Sequence, residues 1–334
     1  MGGYNISMIG NILFNKPILV VWETSKKCNQ KCIGCQIPDN SAIGQLTLEQ
    51  INTIFEKLKK FGVKKVFLQG GEPLTRPDIK ETILLLKEKG FQQTLVCNGT
   101  LLNRDIIEFL KENKIRLGVS LDSLQEKNYA KIRGVNHLNS VKKNLLLAKE
   151  VGLKVNVHCT ASKMNYNEVM EIKAFVEGLG MRLSVLPYIS NIGIAGKHNE
   201  ELSYQHELND IFQKLANESK SNEIFRKNQY EEVIQFLNKK NLGPCDALNN
   251  SIYMDAFGKI SPCIEFRTTV DLRKQEPEEL YTKESKEAVK NCYTNTPCYY
   301  GCTRGISCIT KNKWRLISHP IQTISSIQIE KEFI

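Results

Sequence analysis

The sequence predicts an α/β protein: a partial, TIM-like (β/α)6 barrel followed by a small, irregular cysteine-rich domain. Three observations predict it. From Pro17 to about Pro187, short apolar runs alternate strictly with amphipathic segments; there are six such units; and from Gly243 the texture changes to Cys, Pro, Gly and Tyr with little periodicity. Strict alternation implies parallel strands joined by right-handed crossovers. Six units are too few for a closed eight-unit barrel, so a curved, partly open one is expected, with its chemistry at the carboxyl ends of the strands.

The strands are expected at Ile18 to Glu23, Lys65 to Gln69, Gln93 to Asn98, Ile115 to Leu121, Lys154 to Thr160 and Arg182 to Pro187, each short, apolar and in several cases β-branched. The helices between them have legible ends. Thr47 with Gln50 makes a capping box, Leu48, Ile51, Phe55 and Leu58 share one face, and Gly62 stops the helix. Pro77 suits a first turn ahead of Ile79, Ile83 and Leu86, and Gly90 ends that helix. Asn103, Ser140 and Asn167 open the next three. Residues 200 to 240 read as two bridging helices around Ile211, Phe212, Leu215, Val233, Phe236 and Leu237. The expected organisation is therefore an extension over 1–16, the barrel over 17–198, a helical bridge over 199–242, the cysteine-rich domain over 243–310 and a tail over 311–334. The cysteine-rich segment has too little apolar periodicity to fold alone and calls for a metal staple.

At 334 residues, with 41% hydrophobic and 25% charged residues, the composition excludes disordered and collagenous chains. No stretch approaches the roughly 18 apolar residues of a membrane span, and Met1 to Trp22 lacks a signal-peptide pattern, so a cytoplasmic protein is expected. Forty-six Lys and Arg against 36 Asp and Glu give +10, which favours an anionic substrate or acidic partner. Nucleic acid is not expected as the partner.

Eleven cysteines are many for a cytosolic chain, where clustered thiols bind metal or do chemistry more often than they form disulfides. Cys28, Cys32 and Cys35 crowd the loop after the first strand; Cys245, Cys263, Cys292, Cys298, Cys302 and Cys308 lie in the last third. Cys97 and Cys159 stand alone and read as small buried hydrophobes, and His158 as a histidine of the barrel wall. Three thiolates within eight residues can hold an iron-sulfur cluster and leave one iron open to another ligand, since a 4Fe-4S cluster normally takes four. Zinc would want a fourth close ligand, and none follows locally.

The spacing Cys28-Asn-Gln-Lys-Cys32-Ile-Gly-Cys35 resembles the signature of the radical S-adenosylmethionine (SAM) superfamily. The resemblance implies a 4Fe-4S cluster whose open iron is chelated by the methionine moiety of SAM, and an electron that breaks the sulfonium bond to give a 5′-deoxyadenosyl radical. It implies further contacts, with Gly34 standing where the family usually has an aromatic residue. Gly70-Gly71-Glu72-Pro73 after the second strand resembles the motif that binds the methionine amino group, with Glu72 as an acceptor. Asn98-Gly99 matches a turn after the third strand, with Cys97 in place of Thr. Ser120 and Asp122, and Arg133-Gly134 beyond them, resemble contacts to ribose and carboxylate, and Pro187 the adenine-side contact.

Cys245, twelve residues, Gly258, four residues, Cys263, then Cys292, five, Cys298, three, Cys302 and finally Cys308 resembles the SPASM extension, which holds auxiliary iron-sulfur clusters. Val289 stands where that pattern has a further Cys. Six cysteines cannot fill two complete clusters, which need eight. The interlaced SPASM arrangement implies Cys245, Cys263 and Cys302 on one cluster and Cys292, Cys298 and Cys308 on a second; the rivals are one fully ligated cluster, as in the shorter twitch variant, and zinc.

The resemblance implies hydrogen-atom abstraction, with auxiliary clusters aiding oxidation or bond formation and a reductant such as flavodoxin or ferredoxin. A ribosomally made peptide or protein side chain is the leading substrate class. A small anionic metabolite, tetrapyrrole, lipid or cofactor precursor is the alternative, and a non-catalytic iron-sulfur electron carrier a third reading. With 27 residues ahead of Cys28, no leader-binding domain is expected there; Ile264 and Glu265 follow Cys263 where sulfatase-maturing relatives place Asp, so that activity is not expected.

Overall fold

The computed structural model describes residues 17–39, 44–189, 199–203, 206–219, 224–245, 247–266, 269–295 and 298–299. The expected strands form: β1 (Leu19–Ser25), β2 (Lys65–Gly70), β3 (Gln92–Cys97), β4 (Arg116–Ser120), β5 (Val155–Ala161) and β6 (Arg182–Pro187). Neighbours in chain order pair in parallel, with Leu19 opposite Lys65 and Val157 opposite Leu183. Between them run α1 (Leu48–Phe61), α2 (Ile79–Glu88), α3 (Arg104–Glu112), α4 (Glu126–Arg133), α5 (Leu138–Val151) and α6 (Val169–Gly178).

Local signals set the helix ends. Thr47 Oγ1 accepts from the Gln50 amide at 3.3 Å while Gln50 Oε1 accepts from the Thr47 amide at 3.0 Å, and Gly62 closes α1 in the left-handed region with φ 118°. Asn103 Oδ1 accepts from the Ile106 amide at 2.9 Å and starts α3. The core lies between helices and sheet, where Trp22 meets Phe55 with ring centroids 5.1 Å apart and Phe55 meets Phe91 edge-on at 5.4 Å. Cys97 and Cys159 are buried in it.

Two features differ from the sequence reading. The connection between β4 and β5 holds two helices: α4 precedes α5, and α5 begins at Leu138, two residues before Ser140. More consequential is β7 (Ser251–Met254), which lies parallel to β1 with Leu19 opposite Ser251 and Trp22 opposite Met254. β8 (Lys259–Ser261) and β9 (Val270–Asp271) continue antiparallel, so the described strands form one sheet in the order β6-β5-β4-β3-β2-β1-β7-β8-β9. Residues 251–271, expected to be irregular, thus extend the barrel sheet. The helices α7 (Glu207–Glu218) and α8 (Ile224–Leu237) pack together, with Phe212 and Tyr230 rings 5.9 Å apart, and α9 (Lys283–Asn295) follows. Among the described residues no helix is long and apolar enough to cross a membrane.

Candidate active site

The cysteine loop leaves β1 at the carboxyl end of the sheet and is pinned from three sides. The end of β2 grips its start: Gly71 N donates to Ser25 O at 2.8 Å and Glu72 N to Lys27 O at 2.7 Å. A Cβ on Gly71 would stand 2.3 Å from the Lys27 carbonyl oxygen, so only glycine allows that approach. The end of α4 grips the middle, where Lys31 N donates to Arg133 O and Ile33 N to Ile132 O, both at 3.1 Å. Gly134 has φ 74°, and a Cβ there would meet the Lys31 carbonyl oxygen at 2.2 Å. The turn after β3 supplies the third anchor: Asn98 Nδ2 donates to Asn29 Oδ1 at 2.7 Å, and Asn29 Nδ2 donates to Thr100 Oγ1 at 2.7 Å. Gln30 Nε2 reaches the buried Tyr129 hydroxyl at 2.9 Å.

Cys28, Cys32 and Cys35 line a cavity of 420 Å³ together with Gly70 and Gly71 of β2, Asn98, Ser120 and Asp122 after β4, Arg133 of α4 and Pro187 at the end of β6. Burial raises the Cys28 thiol pKa and pushes that of Cys35 up to about 11, so metal binding there releases protons. The guanidinium of Arg133 is bound to Asp122 Oδ2 at 2.6 Å, and its Nη1 stands 3.9 Å from Cys32 Sγ. Burial opposes its charge, but Asp122 and Cys32 outweigh that and raise its pKa. Arg133 Nε is buried without a hydrogen-bond partner among the described residues. Asp122 is held in turn by the Thr160 amide, donating at 2.8 Å to Oδ1. His158 lies deeper in the barrel, 3.4 Å from Asn156 Nδ2, with burial lowering its pKa to about 4.

Glu72 and Pro73 do not line the cavity. Glu72 is fully buried and accepts from the Asn98 amide at 2.7 Å and the Leu74 amide at 3.1 Å, bracing the end of β2 against the turn after β3. These two amides take one acceptor position on each oxygen and give Glu72 a bracing role at the end of β2. Burial raises its pKa to about 7, against the two backbone hydrogen bonds. Because the folded value lies above the unfolded one, the stabilising protonation is complete below about pH 4.5 and lost as pH rises through 7, on the order of 3 kcal/mol in all. Glu72→Gln removes this titration and turns a side-chain N–H toward a backbone N–H, at a cost of about 2 kcal/mol. Thermal unfolding of the two proteins at pH 5 and pH 8 should show the gap between them narrowing at the higher pH; a constant gap would mean that Glu72 does not titrate in this window.

In the C-terminal region Cys263 is buried, and Cys245, Cys292 and Cys298 are half-buried. Burial raises the Cys263 thiol pKa, and Cys298 and Cys245 stand near enough to raise it further. Cys302 and Cys308 lie outside the described residues. Sequence reasoning passed over Asn29, Gln30, Thr160, Tyr188 and Tyr299; only the first two carried a signal, as amides inside the cysteine loop.

A parallel barrel segment with a cavity at its carboxyl end defines the class: an α/β protein with three thiols and a buried ion pair facing one cavity. Residues 22–176 match the Radical SAM superfamily: the chain carries a radical SAM domain, a domain that in its superfamily uses a 4Fe-4S cluster and SAM. It is 33% identical over 166 residues to Fe-coproporphyrin III synthase of Methanosarcina barkeri, covering 48% of this chain and 41% of that protein. It is 29% identical over 283 residues to a probable GTP 3′,8-cyclase of Archaeoglobus fulgidus, covering 81% and 92%. The chain spans about half the length of several curated relatives it matches. Among solved structures, SuiB of Streptococcus suis bound to its precursor peptide SuiA superposes with a TM-score of 0.68 at 19% identity, covering 85% of this chain and 69% of that one, a likeness of fold.

Proposed function

We propose that this chain is a radical SAM enzyme that modifies a side chain of a ribosomally made peptide, with Cys28, Cys32 and Cys35 holding the cofactor-cleaving cluster. The observation that carries the reading is the junction of three loop thiols and the Arg133–Asp122 pair on one cavity. The residues fit the group. Three thiols leave one position of a 4Fe-4S cluster open, and the unpartnered Arg133 Nε is a buried donor suited to a carboxylate. When bound, the cluster and SAM supply an electron and a 5′-deoxyadenosyl radical that takes a hydrogen atom from the substrate.

The chain's own residues do the remaining work. Gly71, Gly134 and the Asn29–Asn98–Thr100 network fix the loop before any ligand binds, which places the thiols at little further entropic cost. Arg133, beside Cys32, offers positive charge to a thiolate and to an anionic head group at once. We assign one auxiliary iron-sulfur site to Cys245, Cys263 and Cys298, supported by the buried Cys263 thiol whose pKa the other two raise, with a role in taking up the electron left after hydrogen abstraction.

The peptide reading leans on the fold shared with SuiB. A second reading, a small anionic substrate, is favoured by the likeness to a probable GTP 3′,8-cyclase over 92% of its length and by the net charge of +10. Equilibrium dialysis of the reconstituted protein against GTP separates them. The peptide reading expects no saturable GTP binding at millimolar concentration, and 5′-deoxyadenosine formation, under reducing conditions, that GTP does not stimulate. Micromolar GTP binding with stimulated turnover would replace it.

A further inference from the structure

The cavity has two unlike walls. Arg133, Asp122 and Ser120 make a charged and polar one; Pro187, Tyr188, Ile189 and Leu202 make the apolar one. Of the described residues on the wall, Tyr188 and Tyr299 are aromatic. Tyr299 is fully buried, donates its hydroxyl to Gln229 O at 3.1 Å and packs on Phe236, so its ring has no open face. Tyr188 is only half-buried, and its backbone is tied to the end of β5 through Tyr188 N donating to Ala161 O at 2.7 Å.

The position of the Tyr188 ring depends on the residue before Cys35. A Cβ built on Gly34 would lie 2.7 Å from Tyr188 Cε2 and 2.8 Å from Leu202 Cδ1, closer than real Cβ atoms come. A side chain at position 34 and the Tyr188 ring in its present place exclude one another. Glycine at 34 thus opens a slot beside the third thiol, and an aromatic ring from β6 fills it.

We propose that Tyr188 is the aromatic wall for the purine of SAM, a binding residue delivered from the end of β6 into the space that Gly34 leaves beside Cys35. The inference rests on the reading of the cavity as a SAM site. A flat purine and a charged methionyl group need opposite surroundings, and the cavity offers both; stacking of a base on an aromatic side chain is sequence-tolerant and strong.

The test is equilibrium binding to the anaerobically reconstituted protein, with SAM, adenosine and methionine as separate probes. Tyr188→Ala should weaken SAM and adenosine about tenfold, the size of a single stacking contact, and leave methionine unchanged, while Tyr188→Phe should bind as the parent does. Gly34→Phe should weaken adenosine and lower Tm by displacing the ring, and the double variant Gly34→Phe with Tyr188→Ala should recover both, a coupling that two independent sites would not show. Parent-like adenosine binding by Tyr188→Ala, or purely additive losses in the double variant, would overturn the proposal. A parent protein that binds neither SAM nor adenosine would remove the SAM-site reading beneath it.

Discussion

Replacing Cys28, Cys32 and Cys35 together with Ala is expected to abolish 5′-deoxyadenosine formation, a loss of at least about a thousandfold for an activity that depends on the bound cluster. The loop is anchored to the barrel by contacts that do not involve the thiols: Gly71 against Lys27, Gly134 against Lys31, and Asn98 holding Asn29. The variant should therefore keep its fold, and its circular dichroism should match the parent. Iron bound through Cys245, Cys263 and Cys298 should remain, so iron per chain falls by about four, one 4Fe-4S cluster, rather than to zero. Anaerobic chromatography of the reaction with a chemical reductant reads the product, and a colorimetric iron assay reads the metal. Continued SAM cleavage by the triple variant would place the cluster elsewhere.

The second large effect concerns Asp122. Its carboxylate meets Arg133 at 2.6 Å with both side chains largely buried, and accepts the Thr160 amide at 2.8 Å. Asp122→Ala leaves a buried guanidinium without its carboxylate partner, a change that costs about 3–5 kcal/mol. In a chain of this size a drop of roughly 4–7 °C in Tm is expected. Asp122→Asn keeps the acceptor for Thr160 and loses only the charge, so it should fall between. Pairing Asp122→Leu with Arg133→Met should restore much of the stability and still bind SAM poorly, which separates the pair's structural part from its part in the site. Differential scanning calorimetry decides the first point, and an unchanged Tm in Asp122→Ala would show that Arg133 finds another partner.

The barrel was legible because parallel strands covered on both faces must be apolar along their length, and Val20, Val21 and Trp22, or Val155 and Val157, advertise that. Helix boundaries were legible where a side chain does the capping, as at Thr47 and Asn103. What escaped the sequence had no pattern to read. The helix α4 is eight residues long, half of them charged, and buries only Tyr129 and Ile132, yet it brings Arg133 to the loop. Four residues of β7 are too few to show alternation. Glu72 sits within a recognisable motif, but which way its carboxylate turns follows from the amides of Leu74 and Asn98, and the latter lies 26 residues away. Tyr188 acquires meaning only through a gap left 154 residues earlier.

The pairing of β7 with β1 has a consequence for how this protein can be divided. β1 is buried at every residue, and its backbone is matched by β2 on one side and β7 on the other. A chain cut before Ser251 would retain the barrel and the cysteine loop but expose Leu19–Trp22 as a bare apolar edge strand, an open template for intermolecular pairing and aggregation. The strand that launches the cysteine loop is completed by the C-terminal region, so the barrel cannot be pared to a minimal soluble core. Any loosening of that region reaches the first cysteine through six residues of backbone.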